Sequence, residues 1–207
     1  MSTEKIKQAI QLLQESLKEF ETSNNPKPEI FRNQMILVEA SKELGTKEWK
    51  GTPSNPRVDK YFDEVDADGD SHLTDETPWC AAFVGAILKR CRMGHTGKLN
   101  ARSYLKWGVS TKDKPLPGDI VVYWRGSRDG WQGHVGFFLK QDGGYIYTLG
   151  GNQSDAVTVA RYSDDKLLDI RRSSKHRDLT AVDLDLLTKM KHEIVMGNKI
   201  DLSGKVV

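Results

Sequence analysis

Three features of this 207-residue chain predict an α+β fold. Helical periodicity dominates the first half, short β-like runs crowd residues 119–172, and brief Gly, Asp, Asn and Ser turns separate those runs. Helices first and strands afterwards, joined by short connections, indicate an antiparallel sheet rather than a doubly wound parallel one. Hydrophobic residues at 37%, charged residues at 29%, 18 Gly and 7 Pro give a globular composition, which sets aside disordered, collagen-like and membrane classes. The net charge of +2 argues against a dedicated polyanion binder.

Taken in order, residues 3–21 carry Ile6, Ile10, Leu13, Leu17 and Phe20 at spacings of three and four, an amphipathic helix broken at Ser23-Asn-Asn-Pro26. A second helix is expected from about Pro28 to Leu44, with Gly45 as its stop. Turn chemistry fills Gly51-Thr-Pro-Ser-Asn-Pro56, and a short helix over Val58–Val65 runs into the acidic segment Asp66-Ala-Asp-Gly-Asp70. Thr77 as cap and Pro78 at the first position open the most apolar helix, Trp79-Cys-Ala-Ala-Phe-Val-Gly-Ala-Ile-Leu88. Strands are expected as a meander at Asp119–Trp124, His134–Lys140, Tyr145–Leu149, Ala156–Tyr162 and Leu167–Arg172, and residues 179–191 return to helical spacing. The chain divides into an N-terminal helix and linker over 1–30, a central domain over 31–175 and a helical extension with tail over 176–207.

Cys80 stands out chemically. With Thr77 as cap it is the third helical residue, among free backbone N–H groups at the positive end of the helix dipole, a setting that favours the reactive thiolate. The competing reading is a small buried space-filler. Cys91, flanked by Lys89, Arg90 and Arg92, lies about 16 Å further along the same helix, too far for a bridge, and has a structural role. Two cysteines and five histidines without CxxC or HExxH spacing exclude a recognisable zinc site. Of the histidines, His134 alone opens a strand, Gly133-His-Val-Gly-Phe-Phe-Leu139, where Gly136 on the same face leaves room beside the imidazole. After the next strand, the turn Leu149-Gly-Gly-Asn-Gln153 offers Asn152 as an amide able to orient that imidazole, against the plain reading of Asn as a turn former.

The segments Thr77-Pro-Trp-Cys-Ala-Ala-Phe83, Ala101-Arg-Ser-Tyr-Leu-Lys-Trp-Gly108, Leu116-Pro-Gly-Asp-Ile-Val-Val122, Gly133-His-Val-Gly136 and Leu149-Gly-Gly-Asn-Gln153 resemble, in that order, the CHAP and NlpC-type papain-like hydrolases of bacterial cell walls. The resemblance covers roughly residues 34–172 and is closest to the phage-lysin and bacterial-effector branch. It implies a papain-like fold and cleavage of a peptidoglycan amide, either between sugar and stem peptide or within the peptide. Carried over by position, it implies Cys80 as nucleophile, His134 as general base then acid, and Asn152 as the residue fixing the imidazole. The Cys80 N–H is the expected oxyanion donor, with Trp79 and Gln153 as further candidates. With no secretory signal at the N-terminus, the expected route is synthesis in the cytoplasm and action in the periplasm or wall after lysis or dedicated secretion. Secretion machinery and a cognate immunity protein are the corresponding protein partners. A catalytically inactive papain-like binding module is the alternative.

Asp66-Ala-Asp-Gly-Asp-Ser-His-Leu-Thr-Asp-Glu-Thr77 follows the start of an EF-hand loop, with carboxylates at positions one, three and five. Ser71 replaces the usual Gly at six and Thr77 the usual Glu at twelve, with Asp75 and Glu76 near enough to substitute. Three alternate carboxylates repel unless solvated or neutralised. A structural calcium held by Asp66, Asp68, Asp70, the His72 carbonyl, Asp75 and Glu76 is expected, against a solvated acidic turn. Some CHAP enzymes also carry such a loop ahead of the nucleophile.

Overall fold

The computed structural model describes residues 28–66 and 73–174, together with Gln11, Leu12 and Glu15. Among the described residues, helices precede a six-stranded sheet, so the chain is α+β. Helix α1 (Pro28–Ser41) buries Phe31, Ile36, Leu37 and Ala40. Helix α2 (Pro56–Val65) starts two residues earlier than periodicity indicates. Asn55 caps it by accepting from the Arg57 N–H at 2.9 Å, and Pro56, which has no N–H to satisfy, takes the first turn. Its buried stripe is Val58, Tyr61, Phe62 and Val65.

Helix α3 (Cys80–Arg90) is the centre of the core, with every residue from Cys80 to Leu88 buried. It begins later than the sequence suggests. The Thr77 N–H closes a turn onto the Thr74 carbonyl, and the first i to i−4 bond is Phe83 N–H to Trp79 O at 2.9 Å. Trp79 is therefore the cap and Cys80 the first helical residue rather than the third.

The strands are β1 (Val109–Ser110), β2 (Ile120–Trp124), β3 (Gly133–Asp142), β4 (Tyr145–Gly150), β5 (Thr158–Ser163) and β6 (Leu167–Arg172). All pairs are antiparallel, in the order β1-β6-β2-β3-β4-β5. Strands β2 to β5 form the expected meander. Strand β6 departs from it, crossing back to pair with β2 and with the two-residue β1, which is too short to leave a periodic signal. Alternation gives the sheet two buried faces. Ile120, Val122, Val135, Phe137, Leu139 and Leu149 pack under the helices, while Val121, Tyr123, Phe138, Ile146, Leu167 and Ile170 form a second cluster with Tyr162 against it.

Of the N-terminal helix expected over residues 3–21, Leu12 packs on the main core and Glu15 lies 3.8 Å from Lys140. The rest of that helix, the one expected over 179–191 and the tail fall outside the described residues. Among the described residues, no helix is long and apolar enough to cross a membrane.

Candidate active site

A gap in the sheet brings Cys80 to the strand that carries His134. Pairing of β3 with β4 begins only at Phe137 and Leu149, so the first residues of β3 have no strand on that side. The Phe138 N–H donates toward β2, to Asp119 O, and the two-residue alternation sends the Val135 N–H the other way, into the gap. There it donates to the Cys80 sulfur at the start of α3. His134, the residue before Val135, is fully buried and stacks on Tyr162 (5.1 Å) and Tyr123 (6.4 Å) on the second face of the sheet. Two glycines permit this approach. A Cβ on Gly151 would meet Trp79 and Phe83 at 2.5–2.7 Å, so its absence lets the turn after β4 press on α3. Gly136 makes room for Thr148 and the Leu149 carbonyl on β4, rather than for the imidazole as the sequence pattern suggested.

The amide that meets the imidazole belongs to Gln153, not to Asn152. Asn152 takes a left-handed turn conformation, φ 53°, and makes no hydrogen bond to His134. The chain then turns back, and Gln153 points inward with Oε1 3.2 Å from His134 Nε2. Its own Nε2 donates to Thr158 O at 2.6 Å and Thr148 O at 3.3 Å. Those carbonyls can only accept, which fixes the amide orientation and leaves Oε1 as an acceptor facing the ring. His134 Nε2 must then carry the proton, and Nδ1 holds the lone pair.

That lone pair is approached by Arg125, whose Nη2 stands 3.4 Å from Nδ1. Arg125 also donates to the Tyr162 hydroxyl and lies close enough to Cys80 to favour its thiolate. Burial nevertheless favours the neutral form of both side chains. Burial, reinforced by the Arg125 charge, pushes the His134 pKa down to about 3 despite the bond to Gln153. Burial likewise pushes the Cys80 thiol up, against the opposing pull of the Val135 N–H, Arg125 and the free amides of Ala81 and Cys80. The helix start thus favours thiolate as the sequence suggested, but desolvation outweighs it. Cys91 is also buried and reduced, its thiol pushed up to about 12.

Trp79 and Gln153 are engaged elsewhere than in an oxyanion site. The Trp79 indole N–H donates to Glu48 at 2.7 Å, and the Gln153 amide is spent on Thr158 and Thr148. The Cys80 N–H, at the first position of α3, has no helical acceptor and remains the available donor. An open groove of about 1300 Å³ runs up to Gln153, lined by Trp49, Tyr147, Thr158 and Arg161.

In the acidic loop, Asp68, Asp70 and His72 fall outside the described residues. Asp66 and Glu76 are exposed, whereas Asp75 is buried and uses Oδ2 to accept from the Trp49 (2.8 Å) and Asn55 (2.9 Å) N–H groups. Its Oδ1 is buried with no partner. Among the described residues, no three His, Cys, Asp or Glu side chains cluster closely enough to hold a metal ion.

Sequence reasoning missed Arg125, Tyr123 and Tyr162. The β2–β3 register, which sets Trp124 against Gly133, would have placed Arg125 beside His134, but the loop length needed to fix that register has no motif of its own.

Residues 72–152 match the family model of the CHAP domain. No curated protein matches the chain. Among solved structures, a Staphylococcus aureus subsp. aureus Mu50 protein described as similar to a lipoprotein of the NLP/P60 family superposes with a TM-score of 0.42 at 14% identity. The superposition covers 77% of this chain and 47% of that one, so the chain spans about half of that protein's length. From Cys80 through His134 to the turn after β4, the matched segment contains Cys80, His134 and Asn152, so this part of the chain is similar to a CHAP domain.

Proposed function

We propose that this chain hydrolyses an amide bond of peptidoglycan by thiol catalysis. The observation that carries the proposal is the locked imidazole. With Gln153 accepting from Nε2, the His134 Nδ1 lone pair is left as the base for Cys80, whose sulfur faces the N–H of Val135, the next residue along the strand. On substrate binding the Cys80 thiol passes its proton to Nδ1, and the thiolate attacks the amide carbonyl. The oxyanion is held by the Cys80 N–H. His134 returns the proton to the departing amine, and water, deprotonated by the same imidazole, hydrolyses the thioester and regenerates the thiol. Gln153 holds the ring throughout. The bond is the N-acetylmuramoyl-L-alanine amide or a stem-peptide link, and the groove that reaches Gln153 is where the rest of the substrate would lie. Such a protein acts as a lysin or as a secreted antibacterial effector.

The test is mass spectrometry of defined muropeptides after incubation with the wild type and with Cys80→Ala. Cleavage by the wild type alone is expected, and the mass of the product identifies the bond. Cleavage by both proteins would refute thiol catalysis. No cleavage by either would favour an inactive binding module, a reading supported by the buried, neutral state of both groups.

Calcium at the acidic loop is part of the same proposal. A buried carboxylate oxygen without a partner, Asp75 Oδ1, is the kind of hard donor a calcium ion takes, and Asp66 and Glu76 flank it in sequence. Bound there, the ion would neutralise the loop that leads into Trp79 and Cys80. Calcium should raise the melting temperature and a chelator should lower it. An unchanged melting temperature in both would contradict calcium binding.

A further inference from the structure

Arg125 is the unassigned group that contacts the His134 ring, and its surroundings differ from those of the arginines paired with carboxylates. Arg57, Arg90, Arg171 and Arg172 each pair with a carboxylate at 2.6–2.8 Å. Among the described residues, no carboxylate forms an ion pair with Arg125, whose side chain is exposed at the mouth of the site. Its partners are the Tyr162 hydroxyl and, at 3.4 Å, His134 Nδ1. The backbone beneath it is firmly held. The Arg125 N–H donates to Gln132 O, and Arg102 clamps the loop by donating to the carbonyls of Ser127, Arg128 and Gln132 at 2.8–3.0 Å. A fixed backbone thus carries an exposed cation with unused donors against the His134 ring and within electrostatic reach of Cys80, both buried and neutral.

The contact with Nδ1 occupies the lone pair that must receive the thiol proton. It is also a weak contact. A guanidinium binds a carboxylate through two parallel, charge-assisted bonds and prefers it to a long bond with a neutral ring nitrogen. We propose that Arg125 anchors a carboxylate of the substrate next to the scissile amide, and that taking up this carboxylate draws the guanidinium off His134 Nδ1 and frees the base. The inference rests on the thiol-catalysis reading of the site and adds to it a preference for substrates bearing a free carboxylate beside the bond. An anion at the mouth therefore both binds and unmasks the base, so that the proton leaves the sulfur only when substrate is seated.

Two small alkylating probes isolate the anchor from peptidoglycan. Iodoacetate carries a carboxylate and iodoacetamide its neutral amide. In each case the Cys80 sulfur forms a C–S bond as the C–I bond breaks and iodide leaves. The ratio of the two rates at Cys80, measured in a Cys91→Ser background and divided by the same ratio for N-acetylcysteine, reads anion recognition alone. A normalised ratio about tenfold above one is expected with Arg125 present, the scale of one charge-assisted contact. It should fall to near one in Arg125→Gln and be partly retained in Arg125→Lys. A ratio near one with Arg125 present, or an equal ratio in Arg125→Gln, would overturn the anchor. Should Arg125→Gln fail to fold, the ratio in the Cys91→Ser protein decides by itself. Muropeptides with the flanking carboxylate free or amidated complete the test. Cutting both forms equally, together with an Arg125-independent ratio, would remove the anchor and leave the hydrolase standing. A high ratio without any cleavage would remove the hydrolase and leave the anion site.

Discussion

Two buried polar clusters in this fold treat charge in opposite ways. Behind the helices, Glu43 is buried but fully paired: it accepts from Arg57 at 2.6 Å, Arg90 at 2.7 Å and the Tyr61 hydroxyl at 2.7 Å, while Arg90 also bonds Glu64 at 2.8 Å. Burial pushes the Glu43 carboxyl up, but these bonds together outweigh it and hold the pKa below the usual value. At the mouth of the sheet, Cys80 and His134 are just as deeply buried, and no carboxylate pairs with either among the described residues. Burial wins there, and both stay neutral. The difference separates a joint from a site. A structural cluster satisfies its donors and acceptors around a permanent charge, whereas Cys80 keeps its proton and His134 Nδ1 has only a long contact to Arg125.

Breaking each cluster should therefore have a different consequence. The largest effect expected is on turnover: Cys80→Ala or His134→Ala should lower muropeptide cleavage by roughly a thousandfold or more, with the unfolding midpoint little changed in Cys80→Ala. Glu43→Ala should do the reverse. It leaves Arg57 and Arg90 without their shared carboxylate and should cost about 3–5 kcal/mol of stability in urea unfolding, while the folded fraction alkylates at Cys80 normally. Gln153→Ala unlocks the imidazole without removing it and should lower kcat by roughly a hundredfold, the scale of a misplaced catalytic group. Asn152→Ala should change kcat less than about twofold, since its side chain does not reach His134. Equal losses in the last two variants would restore Asn152 to the orienting role.

Acid separates the clusters again. His134 is neutral in the fold down to about 3, whereas an unfolded imidazole takes a proton near 6.5, so the unfolded state binds more protons between those values. Stability should fall as pH drops through that window, and His134→Gln should flatten the decline. The contribution of Glu43 is present above its usual 4.5 and is lost only as pH falls through its lowered folded value. Urea midpoints from pH 7 to 3 resolve the two. A decline that is the same in His134→Gln would show that burial of the ring is not its cause.

Much of this was legible in the residues. Cys80 at a helix start and His134 at a strand start follow from apolar periodicity and turn chemistry, which are local. The choice between Asn152 and Gln153 was not, because one left-handed residue reverses which neighbour points inward, and nothing in Gly-Gly-Asn-Gln fixes that phase. Arg125 was hidden for a related reason. Its place beside His134 is a property of strand register across a hairpin loop, not of any spacing along the chain. The balance between helix dipole and desolvation at Cys80 also needed the packed core, since depth of burial has no one-residue signature.

The most direct measurement is the nitrogen spectrum of the His134 ring at neutral pH, by ¹⁵N NMR of protein labelled at histidine and assigned with His134→Gln. A neutral ring with the proton on Nε2 and a bare Nδ1 is the expected result. An imidazolium, or a neutral ring protonated on Nδ1, would leave Cys80 without a base and contradict the mechanism.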